Sequence, residues 1–193
     1  MTNGTRFRVD LDRKMAVIDR LRAAMMATVS AERVNTIRAV ASIVENTHLE
    51  ARVGRYHFVA DEPPERGGDD NGPAPLQYMI AGVAFCLLTQ VARFAPLYKV
   101  EIEDATADAR ADLRTTEKYD VDDAAPYFED VAIDLHVSSP SPPVLVAKLV
   151  AHAERGCHAS QSLRHTIPVA LHATLNGSAL DSILDGIGTD RKD

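Results

Sequence analysis

The two cysteines are the residues of this chain with the greatest chemical potential, because a cysteine thiolate is intrinsically a strong nucleophile. Cys86 lies in the apolar run from Met79 to Leu88, where a thiol can simply be a small buried hydrophobe with a raised pKa. Cys157 follows Gly156, precedes His158 and begins a predicted short helix, whose dipole favours a thiolate. Inert packing and redox chemistry both stay open from these residues alone.

The composition limits the partners that these thiols could serve. Hydrophobic residues make up 46% and charged residues 25% of the 193 residues, so the chain can form a core. A net charge of -7 without a basic cluster disfavours nucleic acid and anionic membrane surfaces. The N-terminus lacks an apolar signal core, and the longest apolar run has about half the length of a membrane helix. We therefore expect a cytoplasmic protein without a structural disulfide.

The first 46 residues are predicted to be helical. Apolar residues from Leu11 to Val29 recur at spacings of three and four, which indicates one amphipathic helix. Ile37, Val40 and Val44 predict a second helix on the same argument. The expected organisation is therefore an N-terminal helical extension at 1–46, followed by a domain at 47–193.

The rest of the chain predicts an α+β fold, because its strand and helix runs do not alternate regularly. Residues 48–60 predict a hairpin turning at Gly54, and residues 61–75 predict a loop rich in turn formers. Pro75 is suited to open an apolar, central helix that runs to about Ala95. Later segments predict strands at 98–102, 105–113, 131–137 and 166–175, a solvated connection at 114–123, a helix at 144–155 and a frayed tail from Ser182.

Four motifs occur in an order that resembles a known family. They are VADEP at 59–63, GGDDNGPAP at 67–75 with Cys86 eleven residues after its last proline, CHAS at 157–160 after a helix, and IPV at 167–169. Together they resemble the OsmC/Ohr family over residues 48–175.

The resemblance implies an OsmC-like fold with antiparallel sheets, a buried central helix and an intertwined homodimer with two sites at its interface. Cys86 would be the thiolate that attacks a peroxide, and Cys157 would resolve the sulfenic acid to a disulfide. A dithiol reductant would then restore the thiols. The implied substrate is a small hydroperoxide, and neither a cofactor nor a metal is expected.

The chain departs from the family pattern beside the first thiol. In the peroxidase branch an arginine from an early strand activates the thiolate, and a glutamate at the start of the central helix holds that arginine. Leu76 and Gln77 stand there in this chain, and Gln77 can bind a guanidinium only without charge assistance. Arg52 is the preferred candidate arginine, and Arg55 is the second.

Two further readings remain beside the peroxidase. The missing carboxylate favours a non-catalytic member, either a module for a small apolar ligand or a redox-sensing partner, and the cysteines could also merely pack. Four histidines surround Cys157, but their spacing fits no structural zinc pattern: His152, His158, His165 and His172.

Overall fold

The central element of the fold is the apolar helix that carries Cys86. The computed structural model describes residues 9–28, 34–114 and 126–181. Helix α2 spans Pro75–Tyr98 and ends three residues beyond the predicted end at Ala95. The buried face of α2 comprises Val83, Leu87, Gln90, Val91 and Ala95. Helices α1 (Leu11–Ala27) and α3 (Pro143–Arg155) and strand β4 (Asp104–Leu113) all pack on α2.

The sheet beside α2 is a long antiparallel hairpin. Strand β4 pairs with β5 (Phe128–Ser138), and Ala109 lies opposite Ile133. The half-buried positions of β4 are alternating alanines from Ala105 to Ala111, and the polar residues between them are exposed. Small side chains allow α2 to approach this sheet closely. The predicted strand at 131–137 is confirmed, whereas the connection predicted at 114–123 lies outside the described residues except for Arg114.

The core below α2 joins these elements to the second cysteine. Leu149, Ala153, Val100 and Cys157 are fully buried in it. The predicted strand at 98–102 is wrong, because Tyr98 ends α2 and the next residues lie in a turn. Within that turn the Val100 amide donates to the Ala95 carbonyl at 3.1 Å. The apolar character of this segment reflects burial rather than strand pairing.

A three-stranded antiparallel sheet precedes the central helix. Its order is β1 (Ala39–Glu45), β2 (His48–Val53) and β3 (Tyr56–Ala60). The β2–β3 hairpin turns at Gly54 with a φ of 58°, as predicted. The helix predicted over Ile37 to Val44 is wrong, because β1 begins at Ala39 and the two residues before it are in neither a helix nor a strand. A tight turn at Asn46, with a φ of 50°, connects β1 to β2, so the two strands pair across the domain boundary proposed at residue 46. The domain boundary itself stays a prediction.

The chain divides into two compact units, Met1–Gln161 and Ser162–Asp193. Helix α4 spans His158–Leu163. The strand predicted at 166–175 is wrong. Val169 is exposed, and Pro168 has no amide hydrogen to pair. Among the described residues of this unit, the last two residues of the predicted segment form β6 (Thr174–Leu175), which pairs with β7 (Ser178–Ala179). The tail from Ser182 lies outside the described residues.

Candidate active site

The structure brings the two cysteine side chains together, although they are 71 residues apart in the sequence. Cys86 lies in the middle of α2 and is half-buried, whereas Cys157 lies directly before α4 and is fully buried. The Cys86 side chain hydrogen-bonds Cys157. A thiol that solvent can reach therefore contacts a thiol that is shielded from it.

Gly156 allows the chain to bring Cys157 against α2. Its φ is -89°, so it does not serve as a left-handed helix cap. A Cβ atom at this position would lie 2.8 Å from Cε2 of Phe94, a residue of α2. Glycine is required here because the end of α3 approaches the central helix too closely for a side chain.

Hydrogen bonds around Cys157 favour its thiolate. Burial raises the pKa of the Cys157 thiol, but hydrogen bonds from the backbone and hydroxyl of Ser160, from Cys86 and from the Ala159 backbone together lower that pKa below its ordinary value. Ser160 is itself buried, with 6% of its surface exposed. The site can hold a negative charge on sulfur through hydrogen bonds.

An aromatic cluster lies between the ends of α2 and α3. The His152 ring stacks on Phe94 with 4.1 Å between centroids, and its Nδ1 lies 3.0 Å from the Tyr98 hydroxyl. Burial lowers the pKa of His152, and the charges of Arg155 and Arg22 lower it further. His152 is therefore a neutral packing residue at physiological pH. Among residues 9–28, 34–114 and 126–181, no three His, Cys, Asp or Glu side chains form a group that could hold a metal.

The two candidate arginines lie on the N-terminal sheet. Arg52 is exposed in β2, with Val40 and His57 as its strand neighbours. Within the described chain no ion pair or hydrogen bond of its side chain is seen. Arg55 donates to the Tyr56 hydroxyl at 3.0 Å and stacks over that ring. The structure does not join either arginine to the thiols, so an activating role for Arg52 stays a prediction.

Gln77 lines a cavity of about 930 Å³ at the start of α2. Its Oε1 accepts a hydrogen bond from the Ala74 amide at 2.8 Å, so this carboxamide caps the helix. Two arginines that the sequence reasoning did not consider also line the cavity. Arg66 bonds Glu62 at 3.2 Å, and Arg114 bonds Glu129. Arg66 could have been singled out from the sequence because it directly precedes the Gly-Gly pair, whereas no sequence motif contains Arg114.

The loop before α2 is built around a buried carboxylate. Asp61 is 1% exposed, and its two oxygens accept hydrogen bonds from Thr47, Glu62, Asp69 and Asn71. Burial raises the pKa of Asp61, but the hydrogen bonds from Thr47, Asn71 and Asp69 hold it well below the usual range. Asp61 belongs to the VADEP motif, but its role was not foreseen.

Gly68 and Gly72 complete this loop. A Cβ at Gly68 would lie 1.8 Å from the Glu62 carbonyl oxygen, and one at Gly72 would lie 2.6 Å from that of Val59. The loop thus folds back on the end of β3 so tightly that side chains are excluded. The glycines of the motif therefore fix the position at which α2 begins.

Solved structures similar to this chain share the same fold. An OsmC-like protein from Mycoplasma pneumoniae is 16% identical with a TM-score of 0.59, covering 68% of this chain and 89% of that one. A hydroperoxide resistance protein OsmC from Legionella pneumophila is 25% identical with a TM-score of 0.54, covering 69% and 92%. An organic hydroperoxide resistance protein from Elizabethkingia anophelis is 20% identical with a TM-score of 0.51, covering 70% and 93%.

The family comparison agrees with the fold. None of the curated proteins matches the chain. The family model described as OsmC-like protein matches residues 67–172, more than half of the sequence, including both cysteines and the loop glycines. The chain therefore belongs to the OsmC-like protein family.

Proposed function

We propose that this protein is a thiol-dependent hydroperoxide reductase that acts through Cys86 and Cys157. The observation that carries the proposal is the contact between the half-buried Cys86 and the fully buried Cys157, whose thiolate is stabilised by hydrogen bonds. The names of the Legionella pneumophila and Elizabethkingia anophelis proteins support a peroxide as the substrate. Cys86 attacks, because it is the thiol that a solute can reach.

The reaction divides into three balanced steps. The Cys86 thiolate takes the terminal oxygen of the hydroperoxide, the O–O bond breaks, and the alkoxide takes a proton and leaves as an alcohol. Cys157 then attacks the sulfenic acid on Cys86, which forms a disulfide and releases water. An external dithiol reduces that disulfide and is itself oxidised. No cofactor is required in this scheme.

Counting thiols tests the proposal. Reduced protein mixed with an alkyl hydroperoxide should lose two free thiols per chain. Cys86→Ser should lose none, because the attacking sulfur is gone, whereas Cys157→Ser should lose one and keep a sulfenic acid on Cys86. Thr89→Ala, one turn further along α2, is the matched control and should behave as wild type. Wild-type protein that keeps both thiols would overturn the proposal.

A non-catalytic, ligand-binding or redox-sensing member is the second candidate. It is favoured by the start of α2, where neither Leu76 nor Gln77 provides a carboxylate and Gln77 is occupied in capping the helix. The absence of a contact between Arg52 and the thiols within the described chain points the same way. The thiol count separates the peroxidase from a binding module, because a binding module keeps both thiols in the presence of excess hydroperoxide. A redox sensor would also lose its thiols, but with a dithiol reductant present it would not consume hydroperoxide over many turnovers as a peroxidase does.

The proposed working form is a homodimer in the cytoplasm. Apolar side chains of one chain are left exposed on the three-stranded sheet and on α2, notably Ile43 at 74% and Phe85 at 68%. Helix α2 is also long and apolar enough to span a membrane, contrary to the estimate from the apolar run. A second copy that covers this face explains the apolar surface and agrees with the intertwined dimer that the family resemblance implies.

A further inference from the structure

Gln90 presents a hydrogen-bond acceptor that the fold does not use. The residue is 4% exposed, and among the described residues its Oε1 has no hydrogen-bond partner. A buried unsatisfied carbonyl costs about 1–3 kcal/mol, so such groups are rare unless they serve a purpose. The surrounding positions on the buried face of α2 are apolar. Packing alone would be served better there by a leucine or a methionine.

The position of Gln90 directs this acceptor toward the attacking thiol. Gln90 lies four residues after Cys86 on α2, so the two side chains are neighbours on one helix face. Long side chains on a helix lean toward its N-terminus, so we expect the Gln90 carboxamide to lie over the turn that contains Cys86. In the reduced protein the Cys86 thiol hydrogen-bonds Cys157, so the carboxamide oxygen stays free.

We propose that Gln90 is a catalytic residue whose carboxamide oxygen accepts a hydrogen bond from the sulfenic acid hydroxyl on Cys86. This role depends on the proposed function, since only oxidation of Cys86 by a hydroperoxide creates that hydroxyl. Holding it keeps the S–O bond directed away from Cys157. Cys157 then attacks the Cys86 sulfur from the opposite side, the S–S bond forms and the S–O bond breaks. The departing hydroxide takes up one proton, equal to the one that the Cys157 thiol released on ionisation, and leaves as water.

The test separates catalysis from packing. Gln90→Met has nearly the same volume but no comparable acceptor, and it removes a buried unsatisfied group. It should therefore keep or raise the Tm while slowing disulfide closure after a single addition of alkyl hydroperoxide about fivefold to tenfold. Trapping with dimedone should show a correspondingly longer-lived sulfenic acid on Cys86. The first step, loss of the Cys86 thiol, should proceed at the wild-type rate.

Each outcome decides the matter. Closure at the wild-type rate would overturn the role of Gln90 and leave the peroxidase proposal intact. Wild-type protein that never oxidises Cys86 would defeat the proposed function instead. Gln90→Leu repeats the experiment with a second apolar side chain. A marked fall in Tm in both variants would mean that the carboxamide has a partner in solution, and the proposal would fail.

Discussion

At the scale of single residues, the two thiols of the site differ in their exposure to solvent and in the hydrogen bonds that favour a thiolate. Cys86 is the thiol that solvent reaches, and Cys157 is the thiol that hydrogen bonds surround. The family's activating arginine has no counterpart in contact with the thiols in the described part of the chain. The Ser160 hydroxyl donates to the Cys157 carbonyl oxygen at 3.4 Å, and the backbone amide and hydroxyl of Ser160 both lower the pKa of the Cys157 thiol. Hydrogen bonding therefore favours a thiolate on Cys157, the resolving thiol of the proposed reaction.

Ser160→Ala should slow the second step of the reaction. Without the hydroxyl the Cys157 pKa rises, so a smaller fraction is thiolate at neutral pH, and the pH midpoint of disulfide closure moves upward. We expect closure at pH 7 to slow about threefold to tenfold. The measurement is the closure rate from pH 5 to 9 after one addition of hydroperoxide. Ser162→Ala, at an exposed position of α4, should keep the wild-type profile. An unchanged midpoint in Ser160→Ala would show that the hydroxyl does not support the thiolate.

At the scale of elements, the sequence predicted those whose burial follows a regular pattern. The alternation at 131–137 was sufficient to predict β5, and the apolar stretch after Pro75 was sufficient to predict α2, because each element buries one defined face. Strand β1 is exposed on both faces, so its apolar residues carry no strand period and imitate a helix. Asn46 before a tight turn was the available signal for the hairpin.

The contact between the two thiols could not be predicted from patterns in the sequence. It depends on the close approach of α3 to α2 at Gly156, where the Phe94 ring leaves no room for a side chain. Distances of this kind are set by tertiary packing rather than by local residue preferences. The family resemblance supplied the pairing of Cys86 with Cys157, but not its hydrogen-bond donors or the acceptor on Gln90.

Gly156→Ala tests that approach. The added methyl would press on Phe94, which is stacked on His152 and cannot move freely, so overpacking should lower the free energy of unfolding by about 1–3 kcal/mol. Gly82→Ala is the matched control on α2, where a Cβ meets nothing within 4 Å. It should raise stability by roughly 0.5–1 kcal/mol through helix propensity. Urea unfolding of both variants measures the difference. Equal stabilities would mean that α3 does not need glycine to approach α2.

At the scale of the whole molecule, one chain leaves part of the apolar surface of its central helix exposed to solvent. The buried face of α2 is covered by α1, α3 and β4, yet Phe85 on the same helix is 68% exposed beside Cys86. A second chain would cover this surface. Burial against a second chain would also explain why α2 is long and apolar enough to span a membrane although it is the central helix of an OsmC-like fold.

Phe85→Glu should therefore convert a dimer into a monomer. A carboxylate buried in an apolar interface loses its hydration without gaining a partner, whereas one exposed on a single chain costs little. Sedimentation equilibrium should give about twice the 21.0 kDa of one chain for the wild type, and a single chain mass for the variant. Arg93→Glu places the same group at a polar, exposed position of α2 and should remain dimeric. Because Phe85 is exposed within one chain, its replacement leaves the core intact, so loss of the dimer would be due to the interface. A wild-type monomer would contradict the dimer and leave the apolar face of α2 without its proposed partner.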